Sequence, residues 1–155
     1  MMGPGARAFW RRYLAAARAA NDADQRFYEV FRIGDTEDSA NAGAEEILRG
    51  AKTATSALLL EYEASGRSPP KAGALSILEN GRCDPVCIVE TTEVSIVPFS
   101  GVDARFARDY GEWDGSLETW RERCWDFYSA QCLKLGQEPS GNMLLVCERF
   151  RVVYP

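Results

Sequence analysis

Lys52 stands in the segment GAKTATSALLLEY, residues 50–62, where small residues and hydroxyls separate two stretches of helical character. A lysine beside the hydroxyls of Thr55 and Ser56 offers a positive charge, or a base if burial lowers its pKa from about 10.4, next to a nucleophile. A purely structural interpretation competes with this one. A lysine after a helix end interacts favourably with the helix dipole, and threonine or serine often caps the next helix.

The chain of 155 residues contains no histidine. It therefore lacks a Ser-His-Asp or Cys-His catalytic centre and a paired-histidine site for RNA cleavage, so proton transfer has to use lysine, carboxylate, tyrosine, cysteine or water. The absence of histidine also argues against zinc, although Cys83 and Cys87 lie close in sequence, and we expect no metal. An odd number of cysteines, five, argues against a disulfide framework.

Length and composition predict a single domain with one sizeable core, since 46 % of the residues are hydrophobic. The net charge of −5 argues against coating a nucleic-acid backbone, so we expect no duplex DNA partner, although a local basic pocket stays possible. No apolar run approaches the roughly 20 residues of a membrane span. The N-terminus also lacks the pattern of a signal peptide. We therefore expect a cytoplasmic protein without a membrane partner.

Helices are predicted in the first half of the chain. Apolar residues at helical spacing over residues 6–20 predict a helix that docks on the domain. Ser39 is the expected N-cap of a second helix, which Gly50 ends. Thr55 or Ser56 is the expected cap of a short third helix.

The later segments have β character. Residues 27–33 predict a short strand, and 74–98 predict an antiparallel pair that turns at Asn80-Gly81, because both positions tolerate positive φ. Residues 143–154 are likewise apolar and rich in β-branched residues, so we expect them to join that sheet. Two more helices are predicted over 102–109 and 116–135. The pattern indicates a small curved sheet or a barrel.

Four segments together resemble the ASCH domain family: FRIGD, GAKTATSALLLEYEASG, PVCIVETTEVSIVPFSGVDARFARDYGEWDGSLETWRERCWDFY and LLVCERFRVVY, in this order. The resemblance covers about Phe31 to Tyr154. It implies an α+β fold, with a small PUA-like β-barrel flanked by helices. Residues 26–155 would form the ASCH domain, and residues 1–25 an N-terminal helical extension packed on it.

The resemblance also implies a hydrolytic site. In ASCH proteins that hydrolyse cytidine acetylated on its exocyclic amine, the motif G-x-K-x-x-T supplies a lysine and a threonine, which correspond to Lys52 and Thr55. The acidic partner in the strand motif T-E-V corresponds to Glu93. Thr55 would be the nucleophile, Lys52 a base or an oxyanion stabiliser, and Glu93 a group that activates water or relays a proton. The implied partner is a modified pyrimidine nucleoside or a short single-stranded RNA, without a cofactor.

A second cluster, DYGEWDGSLETWRERC, resembles the family segment E-G-x-x-D-x-S-x-x-W-R. The chain departs from the family at Tyr110, where an acidic residue is commoner, at Cys124, where a histidine is usual, and at Asn142, where an aspartate is common. Helix capping and a core tryptophan would explain the same cluster structurally. The residues expected to bind substrate are Ser56, Glu112, Asp114, Trp120, Arg121 and Ser140.

Two alternatives to the amidohydrolase remain open at the level of sequence. A ribonuclease that cleaves single-stranded RNA would use a divalent metal held by carboxylates such as Glu93, Glu112 and Asp114, or lysine-assisted cleavage through the ribose hydroxyl. A non-catalytic RNA-binding or regulatory module is the other alternative. Family membership alone does not decide among the three.

Overall fold

A computed structural model describes residues 2–16 and 19–155 of the chain. The helices are α1 (Pro4–Ala15), α2 (Ala23–Arg26), α3 (Glu37–Leu48), α4 (Leu59–Ser65), α5 (Ala104–Tyr110) and α6 (Leu117–Lys134). The strands are β1 (Phe27–Phe31), β2 (Ala54–Leu58), β3 (Leu75–Glu79), β4 (Pro85–Pro98) and β5 (Leu144–Tyr154). Within the described ranges, no helix combines the length and the apolarity that crossing a bilayer requires.

Helix α1 packs on the sheet through its apolar face. Phe9, Trp10 and Tyr13 are buried in one cluster with Leu75 and Ile77 of β3. The Trp10 indole also donates a hydrogen bond of 2.8 Å to Asp24 of the neighbouring helix. The predicted docking helix is therefore confirmed over residues 6–15, whereas residues 16, 19 and 20 of the predicted span are not helical. Residues 17 and 18 of that span lie outside the described part. The division of the chain at residue 25 stays a prediction.

Helix α3 begins one turn earlier than predicted. Its N-cap is Thr36, whose hydroxyl accepts from the Ser39 backbone N–H at 3.0 Å, while the Ser39 hydroxyl accepts from the Thr36 backbone N–H at 3.1 Å. Ser39 is thus the third residue of a reciprocal capping box rather than the cap itself. Gly50 follows the helix with a φ of +78°, so the predicted end is confirmed.

Thr55 and Ser56 lie in strand β2 and do not cap a helix, so that prediction is wrong. Helix α4 starts directly after the strand, and its N-cap residue Leu58 makes no side-chain capping bond. The residues ATSAL pair antiparallel with β5, and the two end residues of the strand, Ala54 and Leu58, are buried in the core. Tertiary pairing has outweighed the local preference of threonine and serine for a cap.

The strands form one five-stranded sheet in the order β1-β3-β4-β5-β2. Strand β1 runs parallel to β3, and the other neighbouring pairs are antiparallel. The predicted hairpin and the membership of the C-terminal strand are confirmed. The turn is longer than two residues: the Asn80 side chain accepts from the backbone N–H groups of Arg82 and Asp84, and Cys83 has the positive φ.

The predicted closed barrel is wrong, because the sheet is open and its edge strands β1 and β2 do not pair with each other. The opening between the two edge strands is spanned instead by side chains and by the segment after α4. The Tyr28 hydroxyl donates to the Ser68 carbonyl at 2.6 Å, and Arg67 forms an ion pair with Glu29 at 2.8 Å. Strand β2 is too short to close the sheet, since its chain turns into α4 after five residues.

Candidate functional site

The gap between the sheet edges contains a cavity of about 670 Å³. Strands β1, β2 and β5, helices α4 and α6, and the segment after α5 all contribute to its wall. The wall combines carboxylates, hydroxyls, arginines and aromatic rings. These groups include Glu29, Thr55, Glu61, Tyr62, Arg67, Glu112, Trp113, Arg123, Phe127 and Glu148. The volume matches that of pockets for small molecules.

Lys52 lies directly behind this wall. Its side chain has no exposed surface, and its Nζ donates to Glu112 Oε2 at 2.9 Å and to the Tyr110 carbonyl at 3.0 Å. The ammonium also lies 3.4 Å from the centroid of the Tyr110 ring. Tyr110 and Glu112 line the cavity, whereas Lys52 does not. The lysine therefore acts on the cavity through its two partners.

Burial lowers the pKa of Lys52 to about 8, against the opposing effect of the Glu112 carboxylate. Burial dominates because the charged form loses its hydration inside the protein. The lysine is still mostly protonated at neutral pH, and it loses its proton only slightly above that range. The carboxylate and the carbonyl supply the partners that a buried cation needs.

The close approach of two segments brings Tyr110 and Glu112 to Lys52. Gly111 lies between them with a φ of +69°, and a Cβ atom at this position would lie 2.1 Å from the Ala51 carbonyl oxygen. Only glycine fits such an approach of backbone to backbone. The Thr53 backbone N–H also donates to the Asp109 carbonyl at 2.8 Å, which fastens the end of α5 to the segment before β2.

Thr55 of β2 lies opposite Glu148 of β5, and both residues line the cavity. The Thr91 hydroxyl of β4 donates to Glu148 Oε2 at 2.5 Å. Burial raises the pKa of Glu148 above its ordinary value, although this hydrogen bond opposes the shift. Sequence reasoning missed Glu148, yet a carboxylate in the apolar strand LLVCERF was a usable signal, because such a group is costly unless it has a function or a partner.

Glu93 forms no ion pair with Lys52, which pairs with Glu112 instead, so the expected pairing of these two residues is wrong. Its nearest cation is Arg149, at 3.9 Å, and its side chain is 68 % exposed beside a smaller cavity of about 220 Å³. A bulge between Thr91 and Glu93 places Thr92 as an extra residue in β4. The bulge reverses the alternation of faces. Glu93 consequently pairs with Arg149 instead of sharing the face of Glu148.

The remaining expected binding residues have different environments. Ser56 lines the cavity, and its hydroxyl is hydrogen-bonded at 2.6 Å to the hydroxyl of Tyr128. Asp114 is exposed and accepts from the hydroxyls of Ser116 and Thr119, which fixes the start of α6. These bonds agree with the structural explanation of this part of the cluster, namely helix capping.

Three further expected residues lie away from the large cavity. Trp120 is a core residue stacked on Phe99, with ring centroids 5.4 Å apart. Arg121 donates to the Val102 carbonyl at 3.4 Å. Ser140 accepts from the Asn142 backbone N–H in the turn before β5. None of these three lines the cavity.

The carboxylates expected to hold a metal in a ribonuclease are not assembled. Glu112 pairs with Lys52, Asp114 caps the turn before α6, and Glu93 lies near Arg149. Within residues 2–16 and 19–155, no group of three or more cysteine, aspartate or glutamate side chains has the arrangement of a metal site.

On the far side of the cavity, Arg67 lies above the rings of Tyr28 and Tyr62, at 5.7 and 5.3 Å from their centroids. It pairs with Glu29, whose pKa is nonetheless raised, because burial outweighs the attraction of the arginine. The cavity thus has two carboxyl groups with raised pKa values, Glu29 and Glu148. Groups of this kind serve as acids or bases close to neutral pH.

The comparisons with known proteins agree with this architecture. The family model for the ASCH domain matches residues 29–154. The crystal structure of an ASCH domain from Lactobacillus crispatus JV V101 is similar, with a TM-score of 0.91 and 34 % identity over 99 % of this chain and 97 % of that one. Protein EF3133 from Enterococcus faecalis V583 is also similar, with a TM-score of 0.87 and 28 % identity over 99 % and 90 % of the two chains.

A search of curated proteins gave no significant match. The family match spans most of the chain, and the solved structures cover nearly all of it. The chain therefore belongs to the ASCH domain family, whose members are generally associated with RNA.

Proposed function

We propose that the large cavity binds a pyrimidine nucleoside acylated on its exocyclic amine, and that the protein hydrolyses this amide. The observation that carries the proposal is the pair of Thr55 and Glu148, a hydroxyl and a carboxyl on directly opposed residues of neighbouring strands at the cavity wall. Family membership supports the substrate class, because related ASCH proteins with the same lysine and threonine motif act on acetylated cytidine.

In the proposed reaction, Thr55 Oγ1 attacks the acyl carbonyl carbon while Glu148 takes the hydroxyl proton. The C–N bond then breaks, and Glu148 gives the proton to the departing amine, which leaves as cytidine. Water hydrolyses the resulting ester with Glu148 again as base, releasing the acid and restoring Thr55. A carboxyl group with a raised pKa suits these alternating roles.

Lys52 has an electrostatic role in this proposal. Its Nζ donates to Glu112 and to the Tyr110 carbonyl and lies over the Tyr110 ring, and its side chain has no exposed surface through which to reach a substrate. Its positive charge stabilises the negative charge that develops on the acyl oxygen, since charges act strongly across a poorly solvated wall. It also holds Glu112 and Tyr110 at the cavity. The sequence left two roles open for Lys52, a base or an oxyanion stabiliser. The proposal adopts the second.

The test is to incubate the purified protein with a panel of acylated cytidines, and separately with labelled single-stranded RNA with and without a chelator. Release of cytidine supports the proposal. RNA fragments without release of cytidine would establish the ribonuclease alternative, and the absence of both products would leave a binding module.

Variants of Thr55 sharpen this test. Thr55→Val keeps the β-branched shape but removes the hydroxyl, and we expect a loss of about 100-fold or more in kcat/KM. Thr55→Ser keeps a hydroxyl and should retain measurable turnover. Thr53→Val is the matched control, because Thr53 is exposed and does not line the cavity. Wild-type turnover by Thr55→Val would refute the assignment of the nucleophile.

A further inference from the structure

Trp113 has an unusual conformation at the mouth of the cavity. Its φ of +58° lies in the left-handed region, which is unfavourable for a bulky side chain. Its ring stacks on Tyr110, with centroids 5.8 Å apart and planes inclined by 19°, yet 46 % of the residue stays exposed. An aromatic ring that is both anchored and exposed beside a cavity is suited to stacking on a flat ligand.

Arg123 lies next to this indole. Its guanidinium carbon is 5.9 Å from the centroid of the Trp113 ring, and the exposed side chain lines the same cavity. Among the described residues, no carboxylate lies within ion-pairing distance of Arg123, whereas Arg67 on the far wall is paired with Glu29. Arg123 thus offers a guanidinium fork without an acidic partner, which is the group that binds phosphate best.

The charges inside the cavity restrict where a phosphate can bind. Apart from Arg123, the wall has two arginines, Arg32 and Arg67, against five carboxyl groups, so its excess of acidic groups disfavours a phosphate deep in the cavity. The five are Glu29, Asp35, Glu61, Glu112 and Glu148. A nucleobase carries no such charge and is compatible with this interior. The nucleobase therefore fits inside the cavity. The phosphodiester that connects its nucleotide to the adjacent nucleotide fits at the rim.

We propose that Trp113 and Arg123 form an outer subsite for the nucleotide adjacent to the bound base, so that the protein takes a short single-stranded oligonucleotide in preference to a free nucleoside. Trp113 stacks on the neighbouring base, and Arg123 binds the connecting phosphate. This inference rests on the proposed function for the identity of the inner ligand, and it deepens that proposal by naming the substrate class.

The experiment measures binding and requires no turnover. The affinities of the wild type, Trp113→Gly and Arg123→Gln for cytidine and for an unmodified cytidine tetranucleotide are compared by calorimetry at several salt concentrations. Trp113→Gly should weaken tetranucleotide binding about 5- to 150-fold, as expected for the loss of one stacked base, and change cytidine binding by less than about threefold. Arg123→Gln should reduce the slope of log K against log salt by about 0.7.

Matched controls separate the subsite from general effects. Trp125→Gly removes a second exposed tryptophan, which lies in helix α6. Arg11→Gln removes an exposed arginine of helix α1. Neither Trp125 nor Arg11 lines the cavity. Both should bind the tetranucleotide like the wild type. Glycine is comfortable at the φ of position 113, so Trp113→Gly should stay folded, as circular dichroism would verify.

Equal affinity of the wild type for cytidine and tetranucleotide would overturn the subsite. The same conclusion would follow if Trp113→Gly weakened both ligands equally, because Trp113 would then only support the cavity. Failure of the proposed function has a different signature. If no acylated cytidine is hydrolysed but the tetranucleotide preference depends on Trp113, the reaction is wrong and the subsite stands.

Discussion

Two cations of this protein, Lys52 in the segment before β2 and Arg149 in β5, form charge pairs that differ greatly in burial. Lys52 is fully buried, and its Nζ lies 2.9 Å from Glu112 behind the wall of the larger cavity. Arg149 is partly exposed and lies 3.9 Å from Glu93 and 3.3 Å from Asp109 beside the smaller one. Burial of the first pair lowers the pKa of Lys52, and a charge in such a setting can influence chemistry nearby.

The bulge at Thr92 determines which face of β4 carries Glu93. Side chains alternate between the faces of a strand, so Thr91 and Glu93 would share a face without the extra residue. With the bulge, Thr91 bonds to Glu148 on the cavity side while Glu93 pairs with Arg149 on the other. One inserted residue therefore removes Glu93 from the face on which Glu148 lies.

The largest expected effect concerns the buried pair. Lys52→Ala should lower the free energy of unfolding by about 3 kcal/mol, because it leaves Glu112 without its partner and creates a cavity. Urea denaturation provides the measurement. Lys71→Ala, which removes an exposed lysine, is the control and should change stability by less than about 0.5 kcal/mol. A Lys52→Ala variant as stable as the control would mean that the pair is not buried in solution.

The pH dependence of stability should report the same lysine. Its pKa is about 8 in the folded protein and returns to the ordinary lysine value of 10.5 on unfolding, so the unfolded state binds more protons between these two pH values. Wild-type stability should therefore rise with pH across this window, by about 3 kcal/mol relative to Lys52→Met. Below pH 8 the difference should be nearly constant. A difference that is flat from pH 7 to 10.5 would contradict the lowered pKa.

A smaller effect is expected from the hydroxyl pair of Ser56 and Tyr128. Tyr128 is buried, so Ser56→Ala should leave its hydroxyl without a partner and cost about 1–2 kcal/mol. Thermal or urea unfolding of Ser56→Ala, Tyr128→Phe and the double variant completes a double-mutant cycle. Additive effects would show that the two hydroxyls are not coupled.

The smallest effect is expected on the exposed side of the sheet. Glu93→Gln removes one charge from a long ion pair that is open to solvent, and its stability should differ from that of the wild type by less than about 0.5 kcal/mol. The measurement is urea denaturation at low and at high salt. A larger loss that disappears at high salt would show that Glu93 and Arg149 are coupled more tightly than their separation indicates.

Much of the fold could be predicted, because the signals were local. The apolar spacing of α1, the C-terminal glycine of α3 and the apolar, β-branched runs on either side of Asn80-Gly81 each depend on near neighbours in sequence. The cap at Ser39 was misassigned by three residues, because Thr36 and Ser39 are both suitable caps and bond to each other. The closure of the sheet depends on distant segments, and there the prediction of a barrel was wrong.

The candidate site was predictable only in part. The segment GAKTATS identified Lys52 and Thr55, and the structure brings both residues to one region, with Thr55 on the cavity wall. Nothing local indicated that Lys52 would be fully buried or paired with Glu112, since its partner lies 60 residues further along the chain. The bulge at Thr92 has no glycine or proline to mark it, so the sequence did not indicate that Glu93 lies on the other face from Glu148.

The most direct test of the proposed site compares the two glutamates as matched variants, Glu148→Gln and Glu93→Gln, in the hydrolysis of an acylated cytidine. Each change removes one carboxylate from a strand of the same sheet and keeps the shape of the side chain. We expect Glu148→Gln to lower kcat/KM by about 100-fold or more, the usual contribution of a general acid or base, and Glu93→Gln to retain activity within about twofold. A large loss in Glu93→Gln with normal turnover in Glu148→Gln would contradict the placement of the site in the larger cavity.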